Sequence, residues 1–301
     1  MDFGRVEAKE LDTIKFNLPK DHPQTTEVLA KSKAKGKPRI VVGCAKWGRP
    51  DWVGKIYPKG TKPANFLDEY AKQFNCIEYN AIFYKLPTKT DVEKYKKQVT
   101  KDFLFCPKFT EAITHRKRLK NCQPELDEFW EVYQQFGKNA GPVFLMPHPQ
   151  MNPTKNLETI QEFIQMVPKD VPLFVEFRHE DWYKAPHTDQ IYQWLEKNKR
   201  GSIITDSAGR RDCVHMRLTT PDAFIRFVGN SLHASDYKRI DQWVDRIKDW
   251  TDQGLQNCYF FMHQHEELYS PELSKYLIEK LNKKCSLDIQ VPRFAEQGKL
   301  F

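Results

Sequence analysis

Eight short runs of apolar, β-branched and aromatic residues recur along this chain at a nearly regular interval. They cover residues 39–47, 76–83, 103–109, 142–149, 173–179, 201–206, 224–229 and 257–264, and their starts fall 23 to 39 residues apart. A strand that must return parallel to its neighbour needs a crossover of a dozen residues or more, usually a helix, and this interval fits that unit. Between the runs, apolar residues follow helical spacing: Phe66, Leu67, Tyr70, Ala71 and Phe74; Leu126, Phe129, Trp130, Tyr133 and Phe136, stopped by Gly137; Leu157, Ile160, Ile164 and Val167; and Ile240, Trp243, Val244, Ile247 and Trp250. Residues 207–223 carry no such stripe and read as a loop in place of a sixth helix. Eight strands with about seven helices favour an α/β fold closed as a single (β/α)8 TIM-type barrel over an open doubly wound sheet. No glycine-rich phosphate loop follows any run, which argues against a dinucleotide fold.

The length supports the same reading. The chain has 301 residues, and such barrels use about 250. Residues 1–38 are polar, contain Pro19 and Pro23, and end in the run Lys31-Ser32-Lys33-Ala34-Lys35-Gly36-Lys37, so they read as an irregular N-terminal extension and linker ahead of a barrel at 39–301. Seven cysteines, an odd number with no CxxC pair, read as buried thiols in a reducing compartment. No apolar run approaches the roughly 20 residues of a membrane helix. The start Met1-Asp2-Phe3-Gly4-Arg5-Val6-Glu7 has no apolar signal core, so a cytoplasmic protein without a membrane partner is expected. Lys and Arg exceed Asp and Glu by 48 − 40 = 8. A scattered, solvated lysine surface accounts for this, and an anionic substrate or nucleic acid would also suit it.

Charges interrupt the runs near their C-terminal ends, where strands buried on both faces should stay apolar. Glu78 and Asn80 stand in the second run and Lys108 ends the third. Glu176, Arg178 and His179 close the fifth, Asp206 ends the sixth, Arg226 lies in the seventh, and His263 and His265 in the eighth. Alternation puts Glu78 with Asn80, and Glu176 with Arg178, on one face, expected toward the barrel axis. Buried charges persist when they pair, bind a ligand or do chemistry, and ligand and chemistry belong at the C-terminal mouth of a barrel. Internal pairing, of Glu78 with Lys108 or Glu176 with Arg226, is the bland alternative. Trp47, Trp52 and Tyr57 after the first run form either a stacking platform or a packed loop. Thr114-His115-Arg116-Lys117-Arg118 is either a phosphate cradle or a solvated loop. His179 and Trp182 follow the fifth run, the histidine being either a base or a satisfied, partly buried ring. His263 and His265, with Glu176 and Asp206, are a weak candidate for binding a divalent metal.

Several of these segments match one pattern together. They are Gly43-Cys44-Ala45-Lys46-Trp47 with Asp51 to Pro58, Phe74 to Asn80 with Phe83-Tyr84-Lys85-Leu86-Pro87, Phe103 to Phe109 with Ile113-Thr114-His115, and Phe174 to His179 with Trp182. Over roughly residues 39–282 the chain resembles the YecE-like family, a domain of unknown function (domain of unknown function 72). The resemblance implies a TIM-type barrel and supplies no established activity. It implies that Trp47, Trp52, Tyr57, Glu78, Asn80, Phe83, Tyr84, Lys108, His115, Glu176, Arg178, His179 and Trp182 line the pocket. The chain departs from the pattern at Met146, where a Gln is usual, at Val228, where a His is usual, and at His263 and His265, where an Asn pair is usual.

Three functions compete on these residues. The first is an enzyme, a hydrolase or isomerase, acting on a small phosphorylated or otherwise anionic carbohydrate-like molecule. Glu78, Glu176, Asp206 and His179 would then be the acid, base or orienting groups. Trp47, Trp52, Tyr57, Asn80, Tyr84, Lys108, His115, Arg178, Trp182 and Arg226 would bind substrate. The second is a protein that acts on or binds nucleic acid. The third is a non-catalytic sensor that keeps a ligand pocket after losing polar groups at Met146 and Val228.

Overall fold

The structure is a computed structural model that describes residues 3–32 and 36–295; Met1, Asp2, Lys33, Ala34, Lys35 and residues 296–301, which fall in the expected extension and at the expected barrel's end, lie outside the described residues. Eight strands form the frame: β1 (Arg39–Cys44), β2 (Cys76–Tyr79), β3 (Leu104–Pro107), β4 (Val143–Leu145), β5 (Leu173–Val175), β6 (Gly201–Asp206), β7 (Asp222–Gly229) and β8 (Asn257–Gln264). All pair in parallel, in the order β3-β2-β1-β8-β7-β6-β5-β4. The two ends of that row meet. Gly141 N donates to Phe105 O at 2.7 Å and Phe109 N to Phe144 O at 3.2 Å, so β3 and β4 nearly close the sheet into the expected barrel.

The helices are α1 (Pro23–Ala30), α2 (Phe66–Ala71), α3 (Ala81–Tyr84), α4 (Lys89–Lys97), α5 (Gln123–Phe136), α6 (Pro153–Met166), α7 (His187–Lys197), α8 (Ala234–Gln253) and α9 (Ser270–Cys285). The helical stripes read in the sequence fall on α2, α5, α6 and α8, with their apolar residues facing the sheet. Gly137 ends α5 at φ 54°, a left-handed backbone that a side chain would strain. β6 and β7 are joined by a loop containing one 3-10 turn, Arg211–Cys213, as the missing stripe implied.

The place beside that loop is occupied by α1. Thr25 Oγ1 donates to Met216 O and accepts from Leu218 N, both at 3.0 Å, and Val28 and Leu29 are buried. A helix from the N-terminal segment thus covers the flank that a sixth crossover helix would otherwise shield. Further along the same segment, Gly209 N donates to Gly4 O at 2.8 Å and Arg211 Nη2 to Phe16 O at 3.3 Å.

Two layers of side chains follow from the strand alternation. Val41, Cys76, Leu104, Phe144, Phe174 and Phe224 belong to a cluster in the barrel lumen, while a larger cluster fills the space between strands and helices. Gly43 lies on the lumen side, where an added Cβ would come within 2.2 Å of the Cys76 carbonyl oxygen. All seven cysteines are buried and unbridged. No helix among the described residues is long and apolar enough to cross a membrane.

The same alternation corrects the expectation for Asp206. Thr205 faces the lumen, so Asp206 points outward into the helical layer. It accepts from Arg239 Nη2 at 2.8 Å, from Trp243 Nε1 at 2.8 Å, and from Arg211. Both Asp206 and Arg239 are fully buried, so this is an ion pair that ties β6 to α8. Removing one partner of a buried pair leaves the other charge uncompensated, at about 3–5 kcal/mol. Asp206→Ala should therefore lower unfolding free energy in urea by about that amount, and a loss below about 1 kcal/mol would show that the pair does not secure the strand.

Candidate functional site

At the C-terminal ends of the strands the lumen opens into a cavity of about 490 Å³. Its charged lining comes from Lys46, Lys108, Arg178, Arg210, Arg226, His263 and Glu267. Asn80, Phe83, Tyr84, Met146 and Phe3 complete most of the wall. A larger groove of about 1600 Å³ lies at the opposite end of the barrel, beside Lys72, Thr100 and Asn282. Chemistry on this fold belongs to the C-terminal face and stability to the other, so the mouth is the candidate site.

The floor of the mouth is organised by Arg226. From β7 its Nε and Nη2 donate to the two carboxylate oxygens of Glu78 at 2.9 and 2.8 Å, and its Nη1 donates to Glu176 at 2.6 Å. Glu176 also accepts from Thr205 Oγ1 at 2.5 Å and from Arg178 Nη2 at 3.1 Å. Glu78 accepts from Asn80 Nδ2 at 2.7 Å and faces His263 Nε2 at 3.0 Å, and the other ring nitrogen of His263 lies 3.6 Å from Glu267. Burial works against both carboxylates, but neighbouring cations outweigh it. Arg226 and His263 hold Glu78 well below the usual carboxylate range, and Arg178 and Arg226 lower Glu176. Burial likewise lowers the pKa of His263, yet Glu78 and Glu267 reverse this and raise it. The ring is therefore a buried proton carrier held between two carboxylates.

Lys108 stands outside this network. The expected Glu78–Lys108 pair is not formed, because both oxygens of Glu78 are taken by Arg226; the alternative Glu176–Arg226 pair is formed. Among the described residues Lys108 makes no ion pair or hydrogen bond. Its ammonium lies 4.1 Å from the centre of the Phe83 ring and its side chain is 8% exposed. Burial, with Arg226 adding to it, pushes its pKa down to about 7.

The structure thus brings Glu78, Asn80, Tyr84, Lys108, Glu176, Arg178, Arg226 and His263 together in and beneath the mouth. Other expected residues lie elsewhere. Trp52 is fully buried and donates from Nε1 to Glu267 O at 3.2 Å, and Tyr57 donates to Trp47 O at 2.8 Å. Trp47 itself stacks on Tyr79 in the helical layer. Trp182 packs on Phe177 and donates to Met151 O at 2.8 Å. These four aromatics fasten loops instead of offering a stacking platform. His115 sits behind Phe83, with ring centres 5.0 Å apart, and burial together with Lys108 pushes its pKa down to about 4. His179 caps the turn Glu180–Tyr183 by accepting from Asp181 N at 3.3 Å.

The candidate metal set is dispersed. β8 ends at Gln264, so His265 falls past the strand, Asp206 faces outward, and Glu176 is bound by arginines. Among the described residues no group of three or more His, Cys, Asp or Glu side chains is placed to hold a metal ion. Several lining residues were missed by the sequence reading, among them Lys46 at the end of the first run. Arg210 and Glu267 follow β6 and β8 in loops without periodicity, and Phe3 comes from the N-terminal segment, its ring 3.6 Å from the Arg178 guanidinium carbon and 5.0 Å from that of Arg210.

The model of the family described as "Protein of unknown function DUF72" matches residues 41–296. This chain belongs to the DUF72 family. The UPF0759 protein YecE of Escherichia coli K12 is 27% identical over 281 residues, covering 87% of this chain and all of YecE. The UPF0759 protein YunF of Bacillus subtilis is 25% identical over 164 residues, 52% of this chain and 57% of that protein. Two solved DUF72 structures share the fold. One, from Enterococcus faecalis, has a TM-score of 0.64 at 17% identity, covering 84% of this chain and 98% of that one. The other, from Thermotoga maritima, has a TM-score of 0.59 at 19% identity, covering 81% and 99%. Within the DUF72 barrel, Val228 pairs in register with His263.

Two cations in one DUF72 mouth should respond oppositely to removal. Arg226→Met strands two buried carboxylates and should destabilise by about 3–5 kcal/mol. Lys108→Met removes a buried charge that no carboxylate among the described residues pairs with and should stabilise, by on the order of 1–3 kcal/mol. For a lysine whose folded pKa is lowered, the penalty is full below about 7 and fades as pH rises toward the unfolded value near 10.5, so the gain from Lys108→Met should be largest at and below pH 7. Urea denaturation of both variants checks the pair; equal losses would contradict it. For His263 the folded pKa is raised, so its contribution is full below about 6.5 and is lost as pH rises through the higher folded value. The stability gap between wild type and His263→Gln should narrow from pH 5 to pH 9, and a gap independent of pH would show that the ring is not held as a cation.

Proposed function

We propose that the barrel mouth binds a small anionic, carbohydrate-like molecule, phosphorylated or carboxylated, and that the chain is an enzyme acting on it by acid/base chemistry. The observation that carries this reading is the buried Lys108 ammonium, which pairs with no carboxylate among the described residues. A buried cation with no carboxylate is unfavourable in the empty protein and becomes favourable when an anion enters. Arg178 and Arg210 extend the positive wall. Arg178 places one Nη on Glu176, and its Nε, buried near the Phe3 ring, has no hydrogen-bond partner. Arginine forks suit phosphate and carboxylate. Phe83 and Tyr84 supply apolar faces of the kind that pack on a sugar ring.

Acid/base chemistry on such a ligand falls to His263. Its ring lines the cavity and carries a proton held by Glu78 and Glu267, so it can protonate a leaving or carbonyl oxygen and recover the proton afterwards. Glu78 and Glu176 act by holding Arg226 and His263 in place, since every oxygen of both is engaged.

The test is calorimetric titration of the full chain with a panel of three- to six-carbon sugar phosphates and sugar acids beside the matching neutral sugars. At least one anion should bind. Lys108→Met should weaken it about tenfold, about 1.4 kcal/mol, and Arg178→Gln should weaken it further. Neutral sugars binding as well as the anions, or anions binding equally to wild type and Lys108→Met, would overturn the reading.

A further inference from the structure

We propose that Lys108 is a covalent site, its ε-amine condensing with the aldehyde or ketone group of the bound anion to form an imine. This rests on the anion-binding reading above and adds what the ligand must carry besides its charge: a free or ring-opened carbonyl.

The surroundings of Lys108 distinguish a nucleophile from a simple anion anchor. The groups facing it are Arg226 from β7, Glu176 and Arg178 from the end of β5, Glu78 from β2, and His115 from the turn after β3. Both glutamates are already committed to arginines, and His115 is held toward its neutral form. Around the ammonium, the attraction of Glu176 and Glu78 is opposed by Arg226 and Arg178, no carboxylate is paired with it, and the Phe83 ring lies against it. An anchor gains from staying charged, and Arg178, Arg210 and Arg226 already supply permanent charges. A lysine buried beside other cations loses its proton near neutrality and so presents a lone pair, the environment that activates amines toward carbonyls. The lowered pKa, about 7, agrees with this geometry.

The step balances without a co-reactant. The deprotonated Nζ attacks the carbonyl carbon, the C=O π pair moves to oxygen, and that oxygen takes a proton to give a carbinolamine. The nitrogen gives up a proton, the C–O bond breaks, and the hydroxyl leaves as water after a second protonation. Overall, one protonated lysine and one carbonyl give one protonated imine and one water, with nothing oxidised or reduced. His263 lines the same cavity and is the group suited to deliver the proton to the departing oxygen.

The experiment is reductive trapping. The full-length protein is incubated with glycolaldehyde phosphate or with neutral glycolaldehyde, reduced with cyanoborohydride, and mapped by peptide mass spectrometry, while binding of glycolaldehyde phosphate without reductant is followed by calorimetry. The expected result is an adduct on Lys108 at least about tenfold above the mean of the exposed lysines at pH 7.5, as a larger amine fraction requires. It should rise as pH increases through 7, be much greater for the phosphorylated probe, and be absent from Lys108→Arg, which should still bind the probe. Equal enrichment with both aldehydes would support the imine and overturn the anion reading. Binding of the phosphorylated probe with no enrichment at Lys108 would overturn the imine and leave the anion reading intact. Neither binding nor enrichment would overturn both.

Discussion

The guanidinium of Arg226 decides what every other charge in this barrel can do. It bridges Glu78, three strands away round the sheet, and Glu176, two strands away in the other direction. Two carboxylates and one arginine would leave a net negative lumen. Arg178 on Glu176 and His263 on Glu78 restore the balance, and Glu267 then answers His263. Every carboxylate oxygen on this floor has a partner, which is the condition for burying charge at tolerable cost. Lys108 is left over, because no acceptor remains for it. A barrel selected for stability alone would place methionine or leucine there, so the surplus cation is where the structure departs from self-sufficiency.

The fold was legible because barrel topology is written in long-range spacing. Eight apolar runs a few tens of residues apart, with one crossover lacking a helical stripe, correspond to the eight strands and to the loop between β6 and β7. The floor of the site was legible for the same reason. A charge in a run buried on both faces breaks an otherwise apolar pattern, and Glu78, Lys108, Glu176, Arg178, Arg226 and His263 are such charges that turn toward the lumen and its mouth. Asp206 misled because Ile203 and Ile204 stand side by side within β6, so neither parity announces the lumen, and the residue at the strand end can face either way. Trp47 misled because its ring stacks on Tyr79, and Trp52, Tyr57 and Trp182 because an aromatic after a strand looks the same in sequence whether its ring faces a ligand or its polar tip finds a backbone carbonyl. Here the hydrogen bonds to Trp47, Met151 and Glu267 carbonyls show the latter. Arg210, Glu267 and Phe3 reach the mouth from segments with no period to read.

The N-terminal segment enters the architecture twice. Its helix α1 shields the flank opened by the missing crossover helix, and Phe3 lies against the two arginines of the cavity wall. The aromatic face suits a guanidinium that is otherwise short of partners. One segment thus contributes both to the support of β6 and β7 and to the wall of the mouth.

The central claim is that the mouth holds one buried lysine with which no carboxylate among the described residues pairs. Its most direct test is an NMR titration of the full chain labelled with 13C at lysine Cε, with Lys108→Arg used for assignment. The account predicts that the lysine signal absent from the variant titrates near pH 7, against about 10.4 for a lysine in a model peptide. A Lys108 signal titrating near that model-peptide value would mean that a counter-charge reaches it, and both the anion site and the imine would lose their basis.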